Sequence, residues 1–412
     1  MKILFDVSVL AEGQREILRY ATLLPEDGLD YGTFVTCLEK LPKKYLRRLW
    51  HKLCGKKQEK PLAKQLEELV DSGWLQCREK RLMIHPVVRE VCLGELKPSD
   101  ENCGEFLGRL WDLHDFNTFY DAEIFLQLAQ CFSVASERLD DREGTWALRA
   151  GRYWSMVGQA QMALTYELRM LQKREQNMPD SAELATAYNN VSASYESLGQ
   201  YGNALSNALI ALEIQEQLGQ STKSRLANSY NNVGSICGRM GKLKLALQYL
   251  LKAETLVRKE EPVDFAMLAT ILGNIGYIYD VSNDNNDMCL QYALKSLEIR
   301  EQYCMDNHPD LAQAYNNVGC AYMKLDDDET GLKYMLKAKS LWETMLPPNH
   351  PNMAKVYGNI GYICGRVKGD ECALEYYKKA LEICEKTLAA DHPYAELMRM
   401  NISIVQERLS KG

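Results

Sequence analysis

The sequence has no run of about 20 apolar residues, the length a membrane-crossing helix needs, so neither an integral membrane segment nor a membrane partner is expected. It has no Cys-x-x-Cys pair among its 13 cysteines, and an odd number of scattered cysteines fits neither a zinc site nor a closed disulfide framework. No Gly-x-x-x-x-Gly-Lys-Ser/Thr loop occurs. Gly241-Lys242-Leu243 lacks both the upstream glycine and the hydroxyl that phosphate and magnesium require. No His-Glu-x-x-His phrase is present to hold a metal. No serine or cysteine is set with a histidine and a glycine-rich turn in a nucleophile motif, so catalysis, a cofactor and a metal are all unexpected.

What the 412 residues do have is 46% hydrophobic and 25% charged content, enough to bury a sizeable core in more than one domain. The net charge of -7 is uneven: residues 1–97 carry 18 Lys and Arg against 14 Asp and Glu, the remainder 31 against 42. Cys237, Cys320 and Cys364 recur at small apolar helix positions, as reduced core cysteines of a cytoplasmic protein do. The opening residues look like a signal peptide, but Asp6 interrupts the apolar stretch and Glu12 stands where small residues should lead to cleavage. A cytoplasmic location is therefore the expectation.

One phrase returns along the chain: Tyr188-Asn189-Asn190-Val191, Tyr230-Asn231-Asn232-Val233 and Tyr315-Asn316-Asn317-Val318. Gly273-Asn274-Ile275-Gly276 and Gly358-Asn359-Ile360-Gly361 keep the second Asn, and Asn401 retains a trace. The shared Asn advances in steps of 42, 42, 43, 42 and 42, the signature of a solenoid. Each unit holds two amphipathic helices, the second seen in 246–253 and 373–380. Gly158, Gly199, Gly241 and Gly369 fit the turns between them, where a helix end takes positive φ. His308-Pro309, His350-Pro351 and His392-Pro393 mark helix starts, because proline at the first helical position lacks only an N–H that has no partner there.

These residues resemble tetratricopeptide (TPR) repeats, and more closely the kinesin-light-chain-like subgroup with longer units and a similar His-Pro phrase, over about residues 144–412. The resemblance implies a protein or peptide ligand in a groove lined by the first helix of each unit. The first Asn of each pair (Asn189, Asn231, Asn316) and, one turn later, Tyr277 and Tyr362 are expected to face that groove. Two turns on, Arg239, Lys324 and Arg366 are placed to meet acidic side chains. The second Asn (Asn190, Asn232, Asn274, Asn317, Asn359) either contacts the ligand or bridges neighbouring repeats, and the pattern leaves both readings open.

The front of the chain follows another rhythm, with amphipathic helices near 14–24, 31–40, 45–53 and 62–71, then two short strands, 74–77 and 81–84, and a helix from Pro86. The phrase 69–75 followed by Leu82-Met83-Ile84-His85-Pro86 resembles the winged-helix domain of STAND signalling ATPases, the NB-ARC group. There the matching histidine, here His85, contacts a nucleotide phosphate. Such a contact needs an NTPase module or partner chain; the alternative is a histidine that caps the following helix. Ten Lys and Arg between Lys40 and Lys64 suit nucleic-acid phosphates, whereas Glu67, Glu68 and Asp71 on the helix before the wing repel them.

The expected architecture is all-α apart from one wing: a winged-helix-like domain (1–97), a packed helical connector (98–143), and a right-handed solenoid of about six two-helix units plus a terminal half-unit (144–412). The leading function is non-enzymatic protein recognition, as in the sensor portion of a STAND-type switch. The alternative is a DNA-binding regulator whose solenoid senses a ligand.

Overall fold

The computed structural model describes residues 7–39, 62–112, 122–179, 181–218, 223–282, 285–303, 308–387 and 392–411. The expected helix 45–53, most of the Lys40–Lys64 run and the first residues of the signal-like opening lie outside them. The chain divides into two compact units, Met1–Phe119 with Glu123–Trp154, and Tyr120–Ala122 with Ser155–Gly412.

In the first unit, α1 (Glu12–Ala21), α2 (Tyr31–Glu39), α3 (Leu62–Asp71) and α4 (Pro86–Leu96) surround a three-stranded antiparallel sheet of order β1-β3-β2, with β1 Leu29–Asp30, β2 Gln76–Arg78 and β3 Arg81–Met83. The hairpin turns on Glu79 and Lys80, both at positive φ, as a two-residue turn between twisted strands demands. Strand β1, which the sequence pattern did not reveal, pairs Leu29 with Leu82. Ile17, Leu29, Phe34, Leu66 and Leu82 are fully buried, and Tyr20 stacks on Phe106 at 4.5 Å. Helices α5 (Asp100–Asp112) and α6 (Ala122–Arg138), the expected connector, belong to this unit. Trp111, Phe132, Trp146 and Tyr153 form an aromatic cluster within this unit.

The second unit begins at the end of α7 (Thr145–Met156) and runs through α8 (Ala160–Asn177), α9 (Ala182–Ser197), α10 (Tyr201–Leu218), α11 (Lys223–Arg239), α12 (Leu243–Arg258), α13 (Phe265–Ser282), α14 (Asn286–Tyr303), α15 (Pro309–Lys324), α16 (Asp328–Met345), α17 (Pro351–Val367), α18 (Asp370–Thr387) and α19 (Pro393–Lys411). It is a helical-repeat solenoid in which odd-numbered helices open each repeat and even-numbered ones close it. Starts are capped by side chains that accept an otherwise unpaired N–H: Ser181 from Leu184, Asp264 from Met267, Asp327 from Thr330. Where the turn lacks glycine, Asp326 takes the left-handed conformation. Gly234 and Gly319 let the closing helix approach the opening one, because a Cβ there would sit 2.7 Å from Leu250 Cγ and from Met335 Cγ. Leu250 and Met335 are fully buried, each contributing about 1.5–3 kcal/mol.

Contrary to the sequence expectation, one helix, α13, is long and apolar enough to cross a membrane by length and composition. Its Leu268, Ile271, Leu272, Ile275 and Ile278 are buried in the core shared with α11 and α12. The described cysteines are free, and burial pushes the Cys289 thiol up to about 12.

Between α8 and α9 the carboxyl of Glu167 is buried, with Ser194 hydrogen-bonded to it, and burial raises it to about 7 despite that bond. A carboxyl held above its unfolded value contributes stability fully present below about pH 4.5 and lost as pH rises through about 7. Glu167→Gln is therefore expected to be more stable than the native chain at pH 8, by up to about 3 kcal/mol, with the gap closing below pH 4.5. Denaturant melts across that pH range read it directly.

Candidate functional site

The Tyr-Asn-Asn phrase resolves into three separate contacts. The tyrosine hydroxyl donates backwards to a glutamate on the preceding closing helix: Tyr188 to Glu175 at 2.6 Å, Tyr230 to Glu216 at 2.7 Å, Tyr315 to Glu301 at 2.8 Å and Tyr357 to Glu343 at 3.2 Å. The second Asn donates to the first Asn of the repeat before it: Asn232 Nδ2 to Asn189 Oδ1 at 3.1 Å, Asn274 to Asn231 at 2.8 Å and Asn359 to Asn316 at 2.9 Å. Asn189 passes the chain on by donating to Ser229. Asn189, Asn231 and Asn316 are 4–5% exposed, so the expected groove exposure of the first Asn is not what the structure shows. The reason is register: the first Asn points into the seam between opening helices, where an unpaired amide would be costly and one whose oxygen accepts from the next repeat is not.

Where glycine replaces the first Asn the ladder stops. Opposite Gly273, Asn317 instead accepts from Gln313 of its own helix at 2.8 Å. At Gly358 the vacated space holds the Tyr394 hydroxyl, which donates to Ala354 O. The second Asn of the repeats, Asn190 included, is half-buried along the same stripe.

Further along that stripe, Arg239, Lys324 and Arg366 do meet acidic side chains, but those of the preceding repeat. Arg239 lies 3.6 Å from Glu196, Lys324 3.9 Å from Asp280, and Arg366 reaches Asp326 at 2.6 Å and Asp328 at 3.0 Å. At this exposure such pairs contribute about 0–1 kcal/mol each and can be exchanged for a ligand's charges at little cost. Arg239 also stands 4.4 Å over the half-buried Tyr277 ring, while Tyr362 is 51% exposed.

Sequence reasoning missed a closure within this unit. A Cβ on Gly158 would sit 2.6 Å from Pro351 Cδ, and one on Gly199 3.2 Å from Pro393 Cδ, so turns of the first repeats touch helix starts five repeats later. Here the His-Pro phrase is more than a start signal. His85, His308, His350 and His392 each accept, through Nδ1, the N–H two residues on, at 3.1–3.2 Å. His350 additionally hydrogen-bonds the Met156 backbone. His85 is thus an exposed helix cap. Between the closing surfaces lies a cavity of about 480 Å³, lined among others by Glu196, Tyr201, Arg239, His350, Lys355 and Tyr394. A signal for Lys355 was available: four residues before each second Asn the same helix face reads Thr186, Asn228, Thr270, Gln313 and Lys355. Among the described residues no group of three His, Cys, Asp or Glu is placed to hold a metal ion. On α3, Glu67 and Asp71 are exposed.

Family models for the tetratricopeptide repeat match residues 183–259 and, in a second model, 311–352 and 357–394; the chain carries tetratricopeptide repeats. No curated protein matches it. Among solved structures it is similar to BtubC (BKLC) from P. vanneervenii, at 20% identity over 54% of this chain and 89% of that one, TM-score 0.40. It is also similar to a Signal Transduction ATPase with Numerous Domains (STAND) protein with a tetratricopeptide repeat sensor from Pyrococcus horikoshii, at 15% identity over 97% of this chain and 60% of that one, TM-score 0.47. A third similarity is to kinesin light chain nearly identical TPR-like repeats of Podosopora anserina, at 12% identity over 48% and 94%, TM-score 0.37.

Burial, then the nearby Lys355, hold His350 down to about 4, outweighing its bond to Met156. A histidine with a depressed folded pKa contributes stability present above about 6.5 and lost as pH falls through about 4. The protection of the Met156–Gly158 amides, taken against the intrinsic exchange rate at each pH, is expected to fall as pH drops across that window, and not in His350→Asn, whose side chain keeps the cap without titrating.

Proposed function

We propose that the repeat unit is a recognition module that holds a segment of a partner protein or peptide along the stripe of its opening helices, and that the first unit, a winged-helix-like head, relays the event as the sensor portion of a STAND-type switch does. The observation that carries this reading is what the ladder leaves over. With the amides committed to the seams, the exposed residues of the stripe include Tyr362, at 51%, and the ion-paired Arg239 and Arg366. Met240, Leu325 and Val367 stand at one register position beside them, 37–46% exposed. A recurring row of exposed apolar side chains next to weakly paired charges is the composition of a binding surface.

Binding, and not catalysis, is the role this surface suits: the pairs Arg239–Glu196 and Arg366–Asp326 present both signs of charge to a backbone or side chain that replaces one partner. The relay requires the ligand to prefer one of two arrangements of the protein. The counterpart this reading assigns to the head is an NTPase module or partner chain. His85 uses Nδ1 for its cap and offers Nε2 at the surface to a phosphate. Among the described residues, the exposed Glu67 and Asp71 on the helix before the wing disfavour the DNA-binding alternative.

A photo-crosslinking residue at Tyr362 of the full chain, compared with one at Leu209 on a closing helix, tests the surface in native lysate. Leu209 is 43% exposed, so both sites are accessible. A discrete protein adduct from position 362 and none from 209 is the expected result; equal labelling or none from 362 contradicts it.

A further inference from the structure

Lys355 belongs neither to the amide ladder nor to the ion pairs. It is the one cation among Thr186, Asn228, Thr270, Gln313 and Lys355, the equivalent positions of five successive opening helices. It lines the 480 Å³ cavity with Arg239, and its side chain is exposed to the solvent there. The carboxylate lining the cavity, Glu196, is already engaged: Arg239 Nε is 3.6 Å away and Ser235 Oγ donates to it at 2.8 Å. Among the described residues no carboxylate forms an ion pair with Lys355. Burial and then the repulsion of Arg239 bring its ammonium down to about 8, with Glu196 offsetting only part. Two cations facing one committed carboxylate across an open cavity repel each other, and an entering anion removes that repulsion. Around the cations the walls are apolar: Tyr201, Pro351, Pro393, Tyr394 and Leu397.

We propose that this cavity binds a small-molecule anion, its phosphate or carboxylate group held between Lys355 and Arg239 and its body against the tyrosine and proline walls. The ligand bridges the second and third repeats, which supply Glu196, Tyr201 and Arg239, to the helix starts of α17 and α19, and so holds the closure shut. The volume is that of a metabolite-sized ligand. The site shares Arg239 and Glu196 with the protein-binding stripe but draws Lys355 and its walls from outside the surface at Tyr362, and it stands whether or not that surface has a partner.

The test is thermal melting of the full chain titrated with inorganic pyrophosphate, and in a second arm with citrate, at ionic strength held constant with sodium chloride. A saturable rise is expected in at least one arm; pyrophosphate alone assigns phosphate, citrate alone assigns carboxylate. Lys355→Gln should weaken the apparent affinity by about tenfold or more, Lys355→Arg should restore it, and Arg225→Gln, at a surface pair with Glu183, should leave it unchanged. Calorimetry at pH 8 in buffers of different ionisation enthalpy adds a readout that a packing role does not move. Proton uptake accompanies binding to the native chain and disappears in Lys355→Arg, since arginine does not titrate there. The titratable groups facing Lys355 in the cavity, Glu196, Tyr201, Arg239, His350, His392 and Tyr394, are present in both. No saturable rise in either arm, or the same rise in Lys355→Gln, overturns the proposal.

Discussion

The repeat unit depends on one interaction, the amide pair that ties each opening helix to the one before it. Asn189–Asn232, Asn231–Asn274 and Asn316–Asn359 place a donor against an acceptor across three seams. A helix pair cannot bury its apolar face alone, so stacking is required. Apolar burial does not by itself choose the stacking register, because hydrophobic contact is non-directional. An amide in a seam chooses it: a slip along the helix leaves a buried donor and acceptor unpaired, at a cost of about 1–3 kcal/mol for each. The Tyr–Glu bonds on the other side of the same helices fix the opening helix to its predecessor's closing helix. The phrase is thus a connector written once per repeat, and the binding surface is what that connector does not use.

The places where the connector fails are informative. Gly273 and Gly358 interrupt the ladder, and each interruption is filled differently, by an internal Gln313–Asn317 bond in one and by Tyr394 in the other. The Tyr394 substitution ties α19 to the carbonyl of Ala354, beside Lys355, at the closure. The ladder, the closure and the cavity are one construction: the seams set the small rotation per repeat, and the accumulated rotation brings Gly158 and Gly199 to Pro351 and Pro393.

Much of this was legible in the residues. The period, the helix pairs, the turn glycines and the His-Pro starts depend on contacts between neighbours, which a repeat prints at fixed spacing. The exposure of the first Asn was not legible, because spacing tells which side of a helix a residue occupies and not whether a neighbouring helix covers it. That the acidic side chains met by Arg239 and Arg366 are Glu196 and Asp326 of the preceding repeat was not legible for the same reason. The closure lay further out of reach, since His350 and Gly158 are brought together by a rotation that no single repeat encodes. In the first unit the hairpin was visible in its alternation, whereas β1 has two residues and no pattern to show.

The amide pairs are the links between repeats on which the stacking register depends. A double-mutant cycle on Asn231→Ala and Asn274→Ala, by equilibrium unfolding of the full chain, measures one link without reference to any ligand. A coupling energy of about 1 kcal/mol or more is expected, because either alanine alone already strands its partner. Two losses that add within about 0.3 kcal/mol would contradict it, and would return the Asn ladder to the ligand.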